Sequence, residues 1–115
     1  MQEIVDLMAE ALQQMETPVE LVANRADYGN ECVEYTFNTT FFNGARRDVR
    51  MKLHIVAATM TRGLEIEQLL DEALVPKREA PLARGATACA RNGGGWLVDG
   101  DWHIRIAYYD ITLRA

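Results

Sequence analysis

A chain of 115 residues, of which 49% are hydrophobic and 25% charged, is long enough for one domain with a hydrophobic core and too short for two. No stretch approaches the roughly 18 consecutive apolar residues of a membrane-spanning helix, and Glu3, Asp6 and Glu10 lie where a secretory signal peptide is basic and apolar. We therefore expect one cytosolic domain over residues 1–115, and the net charge of −5 argues against nucleic-acid binding.

The chain begins with the pattern of an amphipathic helix, followed by a short extended segment. Apolar side chains recur at helical spacing over residues 2–15: Ile4, Leu7, Met8, Ala11, Leu12 and Met15. Pro18 ends the helix, because the residue before a proline is pushed out of the α region. The sequence "VELVA" then predicts a short strand before the turn-rich "NRADYGN".

Two alternating segments predict a long β-hairpin. In "CVEYTFNTTFF" the predicted apolar face carries the odd-numbered residues 33–41, and in "DVRMKLHIVA" the odd-numbered residues 49–57. Polar residues occupy the even-numbered positions 34–40 and 48–54. A two-residue turn at Asn43-Gly44 pairs odd with even positions, so we predict a three-residue loop, Phe42-Asn43-Gly44, with positive φ at Gly44. This register places Glu34 opposite Lys52. It also predicts four apolar pairs: Phe41 with Ala45, Phe37 with Val49, Tyr35 with Met51 and Val33 with Leu53.

A second amphipathic helix and a basic segment follow the hairpin. The helix ends before Pro76, Thr61 is the predicted N-cap, and the apolar residues are Leu64, Ile66, Leu69, Leu70, Ala73 and Leu74. Residues 77–91 read as a basic loop in which "ATACA" begins another strand.

The C-terminal stretch "ARNGGGWLVDGDWHIRIAYYDITLRA" predicts a hairpin closed at Asp99-Gly100, with Gly93–Gly95 as a bulge; Asn92-Gly93 is the competing turn. A strand follows the glycines, whereas a phosphate-binding glycine loop opens a helix. In the last strand the apolar residues change face near Tyr108. Either a bulge shifts the phase there, or both faces of the strand are covered.

The sequence gives only weak support for a catalytic or metal site. His54 and His103 lie in strands with no acid spaced to orient them and no third ligand for a metal. Asp99 and Asp101 flank a turn glycine, where aspartate is favoured for backbone reasons, and the chain contains no serine. Two isolated cysteines, Cys32 and Cys89, predict reduced, buried thiols. We therefore predict neither enzymatic activity nor a metal or cofactor.

Charge is unevenly distributed along the chain. Residues 1–45 hold eight acidic residues and one basic residue, whereas residues 46–115 hold nine acidic and eleven basic residues. Aromatic residues do not interleave with the basic ones as in a nucleic-acid-binding surface. The alternatives are solvated faces or contact between an acidic and a basic surface of two copies. The candidate interface residues are Arg46, Arg47, Lys77, Arg78, Arg84 and Arg91.

Taken together, these elements predict an α+β fold in the order α-β-β-α-β-β, with a sheet of about four to five strands against two helices. The segments "ARRDVRMKLHIVAATM", "EIEQLLDEAL" and "WHIRIAYYDITLRA" resemble the central strand, second helix and last strand of the tail-terminator (tail completion) proteins of long-tailed bacteriophages. The resemblance covers most of the chain. The glycine-rich "NGGGWLVDG" is not a mark of that family.

The resemblance implies a virion protein of the tail or neck, assembled in the host cytoplasm. Such a protein forms a ring, usually a hexamer, that caps the tail tube, stops its growth and joins the head connector proteins. The family has no catalytic residues to transfer to this chain. Two alternatives remain: another phage neck or head-tail connector protein, and a small cytosolic ligand-binding or enzymatic α+β domain with a pocket between its sheet and helices.

Overall fold

The computed structural model describes residues 2–17, 19–23, 31–44, 46–74 and 86–114. Its elements are α1 (Gln2–Gln13), β1 (Glu20–Ala23), β2 (Cys32–Phe42), β3 (Arg46–Ala57), α2 (Met60–Leu74), β4 (Ala86–Asp99) and β5 (Trp102–Arg114). The strands form one sheet in the order β1-β2-β3-β5-β4, in which β1 is parallel to β2 and the other pairs are antiparallel. The predicted α+β fold is confirmed, with β1 as the additional short strand.

Both helices pack on the face of the sheet that carries the odd-numbered side chains of β2, β3 and β5. The alternation seen in the sequence causes this arrangement, because successive side chains of a strand point to opposite faces. In α2, the residues that face the core are Gly63, Ile66, Leu70 and Leu74. The fully buried core residues include Ile4, Met8, Leu12, Val33, Met51, Leu53, Ile55, Ile66, Leu70, Leu74, Ala107 and Tyr109.

A second, smaller apolar cluster lies on the opposite face of the sheet. Cys32, Val56 and Ile104 are buried there, with Trp102 and Ile106 packed against them. Pairing between β3 and β5 runs without a shift from Arg46–Arg114 to Ala57–His103. The change of apolar face in β5 is therefore not caused by a bulge. The strand contributes Tyr109 and Ile111 to the main core and Ile104 to the smaller cluster on the other face. Cys32 is buried and forms no disulfide, whereas the side chain of Cys89 lies outside the described residues.

The predicted register of the β2–β3 hairpin is wrong by two residues. Phe37 pairs with Met51 and Glu34 with His54, so Glu34 does not face Lys52 directly. The strands stop pairing at Phe42–Arg47, the connection is longer than the predicted three residues, and a register shift between Thr39 and Phe41 leaves Thr40 as a bulge. Gly44 does not have positive φ. A shift of two residues keeps every side chain on its face, so the hydrophobic pattern does not distinguish the two registers.

The start of α2 also differs from the prediction. The backbone N–H of Arg62 donates to Oγ1 of Thr59 at 3.1 Å, so Thr59 rather than Thr61 is the N-cap. Leu64, predicted as part of the apolar face, is 45% exposed. The helix begins two residues earlier than its apolar periodicity indicates, because the cap is set by a polar side chain outside that periodicity.

The β4–β5 hairpin confirms the predicted bulge, but its two-residue turn is Gly100-Asp101, one residue later than the predicted Asp99-Gly100. Asp99 pairs with Trp102, which leaves a two-residue turn in which Gly100 has φ of 60°. A register shift lies between Arg91 and Gly94, and Gly93 has φ of 87° within it. The glycines thus form a bulge between two paired stretches of strand, and Asn92-Gly93 is not the turn.

Gly94 provides a direct test of this bulge. A Cβ at this position would lie 2.3 Å from the backbone oxygen of Ile106, whereas a Cβ at Gly95 would have nothing within 4 Å. We expect Gly94→Ala to lower the free energy of unfolding by about 1–3 kcal/mol, since the backbone must move to admit the methyl group. Gly95→Ala is the matched control and should stay within about 0.5 kcal/mol. Equal urea midpoints for the two variants would contradict the bulge geometry.

Candidate functional site

The predicted interface arginines of the β2–β3 hairpin lie at one end of the sheet. Arg46 and Arg47 begin β3, and Arg46 pairs along the backbone with Arg114 at the end of β5. Phe42, opposite Arg47, is 65% exposed, and Phe41 is 47% exposed. We call this region, residues 41–47 with Arg114, the tip end. It combines exposed aromatic rings with three arginine positions.

Arg91 lies elsewhere and is engaged within the chain. It pairs with Tyr109 on β5, and its guanidinium lies 5.6 Å from the centroid of that ring. Its two terminal nitrogens lie 3.5 Å from Oε2 of Glu67 and 3.7 Å from Oδ1 of Asp71, both on α2. The structure therefore does not bring Arg91 together with the tip end. Three further predicted residues lie outside the described residues: Lys77, Arg78 and Arg84.

Arg91 belongs to an ion-pair network between α2 and the last two strands. Arg105 Nε donates to Oε2 of Glu67, and the Arg105 guanidinium lies 5.4 Å from the centroid of the Trp96 ring. Tyr109 donates its hydroxyl hydrogen to Oδ1 of Asp71 at 2.8 Å. Burial, reinforced by this bond to a carboxylate, raises the pKa of Tyr109.

This network balances two arginines against two carboxylates and fixes β4, the edge strand, to the helix layer. Glu67 and Asp71 are four residues apart on α2 and so share one side of the helix. Trp96 of β4 packs against Gly63 one turn earlier, where a Cβ would lie 3.0 Å from the indole ring. Sequence reasoning missed the network because its cations and anions are about 20 to 40 positions apart, although the spacing of Glu67 and Asp71 was a visible signal.

On the open face of the sheet, polar side chains line a shallow depression of about 270 Å³: Glu34, Thr36, Asn38, Lys52 and His54. Glu34 is only 7% exposed, and its Oε2 has no hydrogen-bond partner among the described residues. Its Oε1 lies 3.7 Å from Nδ1 of His54. The expectation that no acid lies near His54 is therefore wrong, because the true register puts Glu34 directly opposite.

The electrostatics of this depression favour a neutral imidazole. Burial, and secondly the positive charge of Lys52, lower the pKa of His54, while Glu34 acts in the opposite direction. The separation between His54 and Glu34 is longer than a hydrogen bond. Only Thr36 supplies a hydroxyl to the lining, so the depression has hydrogen-bonding capacity without the nucleophile–base contact of covalent catalysis.

Exposed large hydrophobic residues lie at the two ends of the molecule. The principal extents are 44 × 26 × 21 Å, and the 12 residues of β3 span roughly 36 Å at about 3.3 Å per residue. Phe41 and Phe42 lie beside the start of β3. At the other end, Val98 of β4 pairs with His103 of β5, and His103 pairs with Ala57, the last residue of β3. Helix α2 begins three residues after Ala57.

We call this second region the turn end. Its exposed apolar residues are Met60 at 52%, Leu64 at 45%, Leu97 at 40% and Val98 at 65%. Asp99 and Asp101 are exposed in the adjoining β4–β5 turn. All the large hydrophobic side chains that are exposed in the described ranges therefore belong to one of the two ends.

Metal sites and membrane-spanning helices are two further features that would indicate a function. Within residues 2–17, 19–23, 31–44, 46–74 and 86–114, no group of three His, Cys, Asp or Glu side chains is arranged to hold a metal ion. Neither α1 nor α2 is long and apolar enough to span a membrane.

Comparison with known proteins gives a match at the level of fold. The sequence matches no family model and no curated protein. A solved structure described as "Virion of native gene transfer agent (GTA) particle" contains a chain that superposes with a TM-score of 0.67. The match covers 94% of this chain and 92% of that chain at 10% sequence identity. At this identity the likeness establishes a shared fold.

The ion-pair network predicts a large difference between two glutamates of α2. Glu67 is 15% exposed and meets two guanidinium groups, whereas Glu65 is 61% exposed and lies 3.8 Å from Arg62. We expect Glu67→Gln to lower the free energy of unfolding by about 1–3 kcal/mol, because it leaves partly buried charges without their partner. Glu65→Gln should change it by less than about 1 kcal/mol. Urea unfolding of both variants tests this, and equal losses would contradict the network's structural role.

The depression on the open face predicts a pH effect. Because folding lowers the pKa of His54, the unfolded chain binds a proton more readily, and this contribution to stability is present above the ordinary histidine pKa of about 6.5 and lost as pH falls. Between about pH 7.5 and 5.5, the parent should lose more unfolding free energy than His54→Gln. Lys52→Met should also reduce the loss, since it removes a charge that opposes protonation. Identical pH dependence in the parent and His54→Gln would refute this assignment.

Proposed function

We propose that this protein is a virion structural protein that caps a phage tail tube as a ring, stops tail elongation and forms the surface that joins the head. The observation that carries the proposal is the fold shared, over nearly the whole of both chains, with a chain of the gene transfer agent virion. The sequence resemblance to tail-terminator proteins supports the more specific role. In this proposal the partners are further copies of the chain, the tail tube protein and the head connector proteins, and the ring is a hexamer.

The distribution of exposed groups supports assembly as the activity. A subunit that closes into a ring by head-to-tail contacts needs two different surfaces, one for each neighbour. The tip end and the turn end are two such surfaces, and they differ in charge as well as in apolar residues. Arg46 and Arg47 at the tip end remain the proposed contact residues from the sequence, whereas the internal pairs of Arg91 make it a structural residue in the subunit.

The second candidate, another neck or head-tail connector protein, is supported by the same fold match, because the virion that contains the matching chain is named without a position. The two candidates differ in what the ring binds. A terminator binds the growing end of the tail tube, whereas a connector protein that is not a terminator binds the head side and leaves tube length unchanged.

The proposed function is tested with tail tubes assembled in the absence of this protein. Purified protein is added to the tubes, their ends are imaged by electron microscopy, and heads are then supplied to count joined particles. We expect density at one end of each tube, arrested elongation and joined heads. If the parent protein never localises to tube ends, the terminator function is wrong; binding to heads alone would favour the connector alternative.

A pair of substitutions tests the contact assigned to the hairpin arginines. We expect Arg46→Glu combined with Arg47→Glu to reduce capped tubes by about tenfold or more, because the reversed charges repel the acidic surface of the neighbour. The matched control is Lys52→Glu, which reverses a charge in the middle of the open face and away from both ends. If the double variant caps as many tubes as the parent does, these arginines are not part of the interface.

A further inference from the structure

We propose that the tip end of one copy docks onto the turn end of the next copy. This inference rests on the proposed ring and names the surfaces that form it. Phe41 and Phe42 of one subunit meet the apolar residues of the turn end, which are Met60, Leu64, Leu97 and Val98. The occupant of each surface is therefore a second copy of this chain, bound by its opposite end.

The exposed apolar residues at the two ends support this contact. All six exposed large hydrophobic side chains of the described residues lie at the two ends, and exposed apolar surface of this kind marks a site that a partner covers. Phe42 and Val98 are each 65% exposed, although β2 buries Cys32 and Val33 almost completely. Aromatic residues at the centre of an interface contribute a large part of the binding energy because they bury much area with few rotamers. The two phenylalanines suit the projecting side of the contact.

Charge decides between the possible pairings of the two ends. A contact between two tip ends would oppose Arg47 with the same arginine of the second copy. A contact between two turn ends would oppose Asp99 and Asp101 with themselves. Only a tip end against a turn end places arginines opposite aspartates, and like charges in an interface are strongly unfavourable.

The shape of the subunit decides the kind of assembly. The two ends are separated along the longest axis, so both can be occupied in the same subunit. A head-to-tail contact of this kind repeats from copy to copy and closes into a ring when the rotation between neighbours allows it. The arginine–aspartate pairs at the rim orient the approach and weaken as salt screens them beyond about 10 Å at 0.1 M.

Two single substitutions test the contact through complementation. Phe42→Asp damages the tip end and leaves the turn end intact, whereas Val98→Asp does the reverse. Sedimentation is measured at low salt up to about 1 mM, where even a contact of millimolar dissociation constant is about 40% occupied. We expect species larger than a dimer for the parent, monomers for each variant alone, and a one-to-one dimer that does not grow when the variants are mixed.

A control variant shows whether an added negative charge alone prevents assembly. Gln68→Asp adds the same charge on an exposed part of α2 between the ends and should assemble like the parent. Urea unfolding confirms that each variant is folded. A parent that stays monomeric at about 1 mM overturns the contact. Assembly of Val98→Asp alone at the parent's level, or an unchanged distribution in the mixture, also overturns it.

A charge exchange tests the pairing of arginine with aspartate. Arg47→Asp and Asp99→Arg are each expected to weaken self-association by about tenfold, and the variant carrying both should recover most of the loss. If the combined variant does not recover self-association, Arg47 and Asp99 do not pair across the contact. Tube capping without self-association would leave the proposed function standing and overturn the contact, whereas assembly through both ends without tube binding would overturn the function alone.

Discussion

The unbroken pairing of β3 with β5 is the constraint on which the rest of the fold depends. These strands lie at the centre of the sheet and pair over the whole length of β3 without a bulge, so the face of each side chain is fixed by whether its number is odd or even. The odd-numbered face receives both helices and the main core. The even-numbered face keeps its polar side chains at mid-length and a small apolar cluster toward the turn end.

The polar network under α2 determines what the rest of the molecule can present to partners. Glu67 and Asp71 engage Arg91, Arg105 and Tyr109, so these three side chains stabilise the subunit and hold the long edge strand β4 against the helix layer. The β4–β5 hairpin that carries the turn end is thereby attached to the helix layer.

Much of the fold could be predicted because alternation and helical spacing are local. The strands, the helices and a glycine-containing turn near residue 100 follow from neighbouring residues, whereas the exact turn position and the register depend on loop length, and a shift of two preserves every face. The error in register concealed the contact of Glu34 with His54, and the Arg91 network was missed because sequence distance does not predict cross-sheet contacts. The interface at the hairpin tip stays a prediction from the sequence, and the turn end could not be predicted because the exposure of Leu64 and Val98 is a tertiary property.

We propose that this chain acts by head-to-tail assembly through its two ends. A reconstruction of the particle region that contains the protein, at a resolution that shows side chains, tests this most directly. We expect a closed ring at the tube end in which Phe42 of each subunit lies against Val98 and Leu64 of the next. A ring whose subunits meet through the open face of the sheet, or a single copy bound without neighbours, would contradict it.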